Sequence, residues 1–219
     1  MALEKLSLVD RAVQQLRRKI VGAELAPGQR LTEQDLSDEM QIARGTTRAA
    51  LAALVSENLV VRRPYAGWAV QSVDNELLRE HYEVRGALEE LAARLLAVSL
   101  EESTRKTLLA AYDRLIEAEG GRETECRLRA DLGFHASMVR GSGNRLLIRQ
   151  YESIAGQTEW LYRWSETNWP RRINLLDWHK PILDAILGGN PETASAAVRI
   201  HTQRSLRDDV HDLQNRLSQ

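Results

Sequence analysis

The chain has 219 residues, which is room for one large domain or two small ones. Its hydrophobic content of 43% supports an ordinary core, and its formal net charge of -1 argues against a broad affinity for nucleic acids. The single cysteine, Cys126, excludes an intrachain disulfide. We expect neither a signal peptide nor a membrane-spanning apolar run, and we therefore expect a cytoplasmic protein.

Three helices are predicted in the N-terminal part of the chain. The first covers residues 8–21, where apolar residues recur every four positions, and Pro27-Gly28 marks a turn after it. Two helices follow on either side of a tight turn. Their apolar faces are Leu36 and Met40 in the first and Thr47, Ala50, Leu51 and Leu54 in the second. Arg44 and Arg48 lie on the other side of the second helix, near its beginning, as in a helix that reads DNA.

A hairpin is predicted next. Residues 59–63 and 68–71 are typical of strands, and Pro64-Tyr-Ala-Gly67 connects them. Three helices and a two-stranded hairpin make a winged helix-turn-helix. Arg62 and Arg63 could contact phosphates, or they could be solvated charges that protect an edge strand. Residues 1–73 carry a small excess of basic over acidic residues, which is the sign that a DNA-binding domain needs.

From residue 74 onward the pattern is wholly helical. An apolar stripe is formed by Leu77, His81, Val84, Leu88, Leu91, Leu95 and Val98. Ser99-Leu-Glu-Glu102 has the form of a capping box, and Asn190-Pro191 that of a helix start. Further helices are predicted at about 102–119, 124–140, 144–165, 172–187 and 191–215. The sequence therefore predicts a mainly α protein, with a winged helix-turn-helix domain at 1–73 and a helical domain at 74–219.

One aspartate and three of the five histidines form a second candidate site. Asp131 and His135 are four residues apart and share a helix face, whereas His179 and His201 each lie on the apolar face of a later helix. One carboxylate and three imidazoles suit Zn²⁺, Ni²⁺, Mn²⁺ or Fe²⁺. Inward histidines can equally be satisfied core residues, so the spacing alone leaves both interpretations open.

Aromatic residues are concentrated between residues 151 and 178. The segment contains Tyr151, Trp160, Tyr162, Trp164, Trp169 and Trp178, with Arg163, Arg171 and Arg172. These side chains could form a wall and cationic anchors for an aromatic or multi-carboxylate acid. Alternatively they form a core or dimer packing surface, which is the favoured interpretation because Trp160 and Trp164 are simply one helical turn apart.

Two sets of residues are shared with a known family. The N-terminal set is Pro27-Gly28-x-x-Leu31-x-x-x-x-Leu36, Ile42-x-Arg44-x-x-x-Arg48-x-Ala50-Leu51-x-x-Leu54, Leu59-Val60 and Gly67. The C-terminal set is Glu83-x-Arg85-x-x-Leu88-Glu89, Asp131-x-x-Phe134-His135, Ser142-Gly143-Asn144, His179 and His201. On these residues nearly the whole chain resembles a GntR-family transcription regulator of the FadR subfamily, with an FCD effector-binding domain.

The resemblance implies a set of partners. A divalent metal ion, with zinc preferred, would be bound by Asp131, His135, His179 and His201. A small organic acid would be held near the metal through its carboxylate. Arg85 stands where such domains carry a cavity arginine, which could bind that carboxylate or could pair with Glu83 or Glu89.

A homodimer bound to palindromic double-stranded operator DNA, acting as a repressor, is expected on the same grounds. Arg44 and Arg48 would be its main DNA contacts. The further candidates are Gln34, Thr46, Thr47, Arg62, Arg63 and Gly67.

The chain departs from the family's pattern around the DNA-reading turn. Gln41 stands where glycine is common, Ala43 where serine or threonine caps the helix, and Gln34 and Ala49 where arginine and glutamate are usual. The operator sequence therefore cannot be copied from relatives.

An enzyme is the rival class, but the Glu-x-x-His pairs of di-iron bundles and the His-Glu-x-x-His zinc motif are both absent, so we expect no catalysis. A regulator for which the metal ion itself is the signal is the alternative function.

Overall fold

A computed structural model describes residues 6–121, 123–168 and 174–217. These residues form two compact units. The first contains the chain up to Val73 together with Ser153–Trp164, and the second contains Asp74–Glu152 and the chain from Ser165 onward. The domains predicted at 1–73 and 74–219 are each one continuous stretch of the chain. The observed units are not continuous, because one stretch of a later helix groups with the first unit.

The first unit is built on three helices. They are α1 (Leu8–Val21), α2 (Glu33–Met40) and α3 (Arg44–Ser56). Ser7 begins α1 with a complete capping box and Thr32 caps α2 through its hydroxyl, which explains where both helices start. Leu16, Ile20, Leu51 and Leu54 are fully buried and form the centre of the unit.

The wing is part of a three-stranded sheet among the described residues. Its strands are β1 (Arg30–Leu31), β2 (Val60–Arg63) and β3 (Gly67–Val70), in the order β1-β3-β2 and all antiparallel. The predicted two-stranded hairpin is thus incomplete, since Leu31 pairs with Trp68 in a strand of only two residues, too short to leave a periodic signal. The remaining part of the unit comes from residues 153–164 of a later helix, α7 (Arg145–Asn168), where Gln157 Nε2 donates a hydrogen bond to the carbonyl of Asn58.

The second unit is helical throughout its described residues. It contains α4 (Asn75–Val98), α5 (Glu102–Gly120), α6 (Thr124–Gly141), α8 (Leu175–Leu187), α9 (Pro191–Leu217) and the two ends of α7 (Arg145–Asn168). Its core includes Leu96, Leu108, Phe134, Met138, Ile182 and Val198. The predicted mainly α fold with an N-terminal winged helix-turn-helix is confirmed. No helix in the described ranges combines the length and the apolar character that a membrane crossing requires.

Two details of the helical region differ from the sequence-based expectation. Ser99 makes no capping box, because it lies at the C-terminal end of α4 and α5 begins after Glu101, without a side-chain cap. The apolar stripe predicted on α4 is only partly buried: Leu77 and His81 are buried and Leu88 and Leu95 pack against the core, whereas its other three residues are exposed. Val84, Leu91 and Val98 are 51%, 42% and 72% exposed, whereas Arg85 and Glu89 are fully buried. The start of α9 is confirmed, since Asn190 Oδ1 accepts hydrogen bonds from two backbone N–H groups.

Candidate DNA interface and metal centre

The turn between α2 and α3 sets the direction of the candidate recognition helix. Gln41 ends α2 in the left-handed conformation with φ of 53°, a position that favours glycine. The N–H of Ile42 then donates to the carbonyl of Ser37. Inside the turn, the hydroxyls of Ser37 and Thr47 lie 2.9 Å apart and are buried. Thr47 therefore joins the two helices, and the prediction that it contacts DNA is wrong, because its side chain has no exposed surface.

Arg44 and Arg48 lie on the exposed side of α3, as the sequence predicts. Ala43 precedes them with extended dihedral angles and makes no capping hydrogen bond. Arg48 is not an isolated cation. Its Nε and Nη2 donate to the two carboxylate oxygens of Glu33 at 2.9 and 2.7 Å, while its side chain is 66% exposed.

The wing places two more arginines on the surface of the first unit. Arg62 and Arg63 are exposed on β2, and the guanidinium of Arg62 lies 5.3 Å from the ring centre of Trp68 on β3. Gly67, opposite Arg63, has φ of 82°, which lets the hairpin close.

The last two candidates on α2 and α3 are less accessible. Thr46 is half-buried, and half-buried Gln34 donates through Nε2 to Asp38, so neither is presented as openly as the arginines.

Asp131, His135, His179 and His201 come together from three helices of the second unit. Asp131 and His135 lie on α6, His179 on α8 and His201 on α9, and all four are buried. One nitrogen from each histidine can be chosen so that all lie within 4.8 Å of one another. Nε2 of His135 lies 3.1 Å from Nε2 of His179, and the Asp131 oxygens lie 3.7 and 3.4 Å from these two atoms. A tetrahedral ion with bonds of about 2.0–2.1 Å holds its donor atoms about 3.3 Å apart, so these separations suit a small divalent ion.

The neighbours of two outer ring nitrogens indicate which nitrogen of each ring faces the centre. Nδ1 of His179 lies 2.7 Å from the carbonyl oxygen of Leu175, so it carries the proton and donates it. Nδ1 of His135 lies 3.0 Å from Oε2 of Glu89 without hydrogen-bond geometry, and the negative charge of that carboxylate favours the same tautomer. Both Nε2 atoms then point lone pairs at each other across 3.1 Å. Two facing lone pairs repel unless a cation or a proton lies between them.

The remaining polar atoms of this centre also suit a cation. Both ring nitrogens of His201 and Oδ1 of Asp131 are buried. None of these three atoms has a hydrogen-bond partner among the described residues. Burial, with His135 and His179 nearby, holds the pKa of His201 well below its usual value. Burial alone would raise the pKa of Asp131, but the neighbouring histidines keep it below its usual value. A neutral imidazole and an ionised carboxylate are the forms that bind metal ions.

Arg85 lies on α4 as one half of a buried ion pair. Its Nε donates to Oε1 of Glu89 at 2.7 Å, and the side chains are 1% and 0% exposed. Of the two carboxylates considered for it, Glu83 is exposed and instead accepts from Arg79. Tyr151 also donates to Oε1 of Glu89, at 3.1 Å.

The sequence suggested Glu89 as a partner of Arg85, but it did not suggest that Glu89 also contacts His135 and Tyr151, and it missed Glu33 altogether. Glu89 joins Arg85, Tyr151 and His135, yet its charge is typical of a solvent-facing position. Its spacing of four from Arg85 was the available signal. Glu33, which binds Arg48, is 15 residues away in sequence and gave no such signal.

The aromatic segment divides between several environments. Tyr151 reaches Glu89, while the Trp178 ring packs edge-on against His201 with the ring centres 5.8 Å apart. Trp160 is buried and groups with the first unit, which agrees with a packing role. Trp169, Arg171 and Arg172 lie outside the described residues, so their predicted roles stay predictions.

Comparison with known proteins identifies both parts of the chain. Residues 8–70 match the family "Bacterial regulatory proteins, gntR family", and residues 80–204 match the FCD domain. The "Probable D-xylose utilization operon transcriptional repressor" of Paenarthrobacter nicotinovorans is 24% identical over 88% of this chain and 84% of its own length. The "HTH-type transcriptional regulator LutR" of Bacillus subtilis is 27% identical over 83% of this chain and 92% of its own.

A solved structure shares the fold. That of E. coli McbR/YncC covers 95% of this chain and 99% of its own, with a TM-score of 0.72 and 19% identity. With matches to both domain families, the chain belongs to the GntR family of DNA-binding transcriptional regulators with an FCD domain, and it is not an enzyme.

Proposed function

We propose that the chain is a homodimeric repressor that binds a palindromic operator and is released from it by a small organic acid bound near a divalent metal ion. The DNA contacts are Arg44 and Arg48, supported by Arg62 and Arg63 of the wing, all four of which are exposed. The name of the Paenarthrobacter relative, a repressor, supports the sign of the regulation.

The facing Nε2 atoms of His135 and His179 are the observation that carries the metal site. Their separation of 3.1 Å, with the outer nitrogen of His179 hydrogen-bonded to a carbonyl oxygen and that of His135 3.0 Å from a carboxylate oxygen, is favourable only around a cation or a shared proton. His201 adds a neutral imidazole and Asp131 a carboxylate, which together would hold Zn²⁺, Ni²⁺, Mn²⁺ or Fe²⁺. Bound there, the ion would supply a positive centre with coordination positions left for a carboxylate.

Arg85 is the proposed second anchor for the acid. Its charge acts on both Asp131 and His201, lowering the pKa of each, so it lies within electrostatic reach of the centre. A carboxylate that bound the ion would therefore also feel the guanidinium. Because Arg85 already pairs with Glu89, the acid would have to share Arg85 with that carboxylate.

The exposed stripe on α4 supports the homodimer. Val84, Leu91 and Val98 repeat every seven residues and are 51%, 42% and 72% exposed. A seven-residue apolar repeat on one helix face is typical of helices that pack against a partner. A second copy of this chain would bury it, and sedimentation velocity that finds single chains at micromolar concentration would overturn the dimer.

The metal site is tested by zinc titration of two variants of α9. His201→Ala removes a proposed ligand, whereas His211→Ala removes an exposed histidine ten residues later on the same helix. We expect wild type and His211→Ala to bind one Zn²⁺ per chain and to melt at a lower temperature after chelation. His201→Ala should bind far more weakly and melt at the same temperature with or without chelator. Equal zinc affinity in the two variants would refute the site.

The effector is tested by a thermal-shift screen of small organic acids on metal-loaded and chelator-treated protein. A ligand at a hundredfold excess over its Kd stabilises the folded state by about 2.7 kcal/mol. A shift that disappears after chelation would support an acid bound through the ion. Operator release that follows metal concentration, with no acid present, would instead support the alternative in which the ion is the signal.

A further inference from the structure

Glu33, at the start of α2, contacts both DNA-facing parts of the first unit. Its carboxylate accepts two hydrogen bonds from Arg48 on α3, and Oε1 also accepts one from Nε1 of Trp68 on β3 at 3.0 Å. Trp68 in turn carries the guanidinium of Arg62 over its ring. One carboxylate therefore ties the recognition helix to the wing.

Glu33 occupies one edge of the Arg48 guanidinium, and this determines which N–H donors of Arg48 remain for DNA. Arg48 binds Glu33 through Nε and Nη2, which is the side edge of its planar group. A guanidinium has five N–H donors, and this pair uses one on each of those two nitrogens. The end edge, formed by Nη1 and the second proton of Nη2, is not part of the pair. Paired donors of this kind match O6 and N7 of guanine in the major groove.

We propose that Glu33 is a positioning residue that holds Arg48 by its side edge and presents the end edge to a guanine in each operator half-site. The inference rests on the proposed DNA contact of Arg48 and adds the base that it reads and the residue that orients it. A long, 66% exposed arginine would otherwise sample many rotamers and bind phosphates as readily as a base.

Two observations support a fixed arrangement. The hydrogen bonds from Arg48 and Trp68 hold the pKa of Glu33 at about 2, so the carboxylate is ionised at every pH at which the protein would bind DNA. Trp68 is 8% exposed and lies on the central strand β3, paired with Leu31 of β1 and Arg62 of β2, so its neighbours on both sides restrict the indole. The acceptor for Arg48 is thus held from the wing side.

The test compares base preference in wild type and four variants, each selected against a pool of random DNA duplexes. Glu33→Gln keeps the size of the side chain but places an amide N–H₂ against one donor of Arg48, which breaks the paired contact. Trp68→Phe keeps a ring under Arg62 and removes the N–H that holds Glu33. Glu39→Gln is the control, since Glu39 also lies on α2, also pairs with a cation, Lys19, and loses the same charge. Arg48→Ala removes the proposed reader itself. Thermal melting establishes that each variant is folded.

We expect wild type and Glu39→Gln to prefer guanine at one position of each half-site. A single paired contact typically discriminates by about 5- to 150-fold. Arg48→Ala should lose that preference entirely, and Glu33→Gln should lose most of it at the same position while its affinity for random DNA does not fall. Trp68→Phe should weaken the preference at that position by a smaller factor.

Three other results are possible, and each would contradict a different part of the proposal. If Arg48→Ala loses the preference and Glu33→Gln keeps it, Arg48 reads DNA without help from Glu33. If Arg48→Ala leaves every position unchanged, Arg48 does not read a base, and both this inference and the proposed role of Arg48 fail. If the lost preference is for a base other than guanine, the end-edge assignment is wrong.

Discussion

Replacing Arg85 with methionine should destabilise the helical unit strongly. Methionine keeps most of the apolar stem of arginine, so the change removes mainly the charge. Glu89 would then stay buried, with its 2.7 Å partner gone and, among the described residues, Tyr151 and His135 left beside it. Removing one partner of a buried ion pair typically costs about 3–5 kcal/mol. For a chain of this size that corresponds to a fall in melting temperature of about 6–20 °C.

The assay is calorimetry on chelator-treated protein, so that metal binding does not contribute. Arg79→Met is the matched control, because Arg79 lies on the same helix, also pairs with a glutamate four residues later, and is exposed, so we expect almost no change. The double variant Arg85→Met with Glu89→Met should recover part of the loss, since it leaves no unpaired carboxylate. If Arg85→Met melts within about 2 °C of Arg79→Met, a shift that corresponds to about 1 kcal/mol or less, the pair is not a stabilising element.

Two further predictions concern the cap of α3 and the response to pH. Ala43→Ser should stabilise the protein by about 0.5–2 kcal/mol in urea unfolding, because Ala43 has the extended dihedral angles of a cap but no cap oxygen; Ala49→Ser, in the exposed interior of α3, should give no gain. The metal-free protein should lose stability as the pH falls below about 6.5, by up to about 1.4 kcal/mol per pH unit for each of His135 and His201. Burial lowers the pKa of both, so the unfolded chain takes up protons there that the folded chain does not. Equal melting temperatures at pH 7.5 and 5.5 would contradict this.

The sequence predicts long helices well and short or polar elements poorly. Amphipathic periodicity and side-chain caps mark α1 and α9, and both begin where expected. The two residues of β1 are too few to show alternation, and they become a strand only because β3 lies beside them. On α4, the apolar repeat through Leu91 looks like the buried face, whereas the buried face actually carries the ion pair of Arg85. The hydropathy pattern is the same for an apolar stripe that faces the core and for one that lies on the surface of the helical unit.

The same limits apply to the candidate sites. Asp131 and His135 could be paired from their spacing alone, since both lie on one turn of one helix. Their meeting with His179 and His201 depends on how three helices pack, which the pattern suggests only through the apolar faces that carry them. Glu33 could not be found, because its partners lie 15 and 35 residues away on other elements.

The position of Trp178 gives the chain an optical reporter of its own. Its indole packs edge-on against His201, 5.8 Å between ring centres, and lies 4.5 Å beneath the guanidinium of Arg204. An open-shell ion such as Cu²⁺ or Ni²⁺ bound to His201 would quench the emission of this indole, whereas closed-shell Zn²⁺ would shift it mainly through its charge. Trp68 likewise contacts two residues of the proposed DNA-binding surface, Glu33 and Arg62. Each unit thus carries a tryptophan beside its candidate site, and we expect binding at either site to change the emission of that indole without an added label.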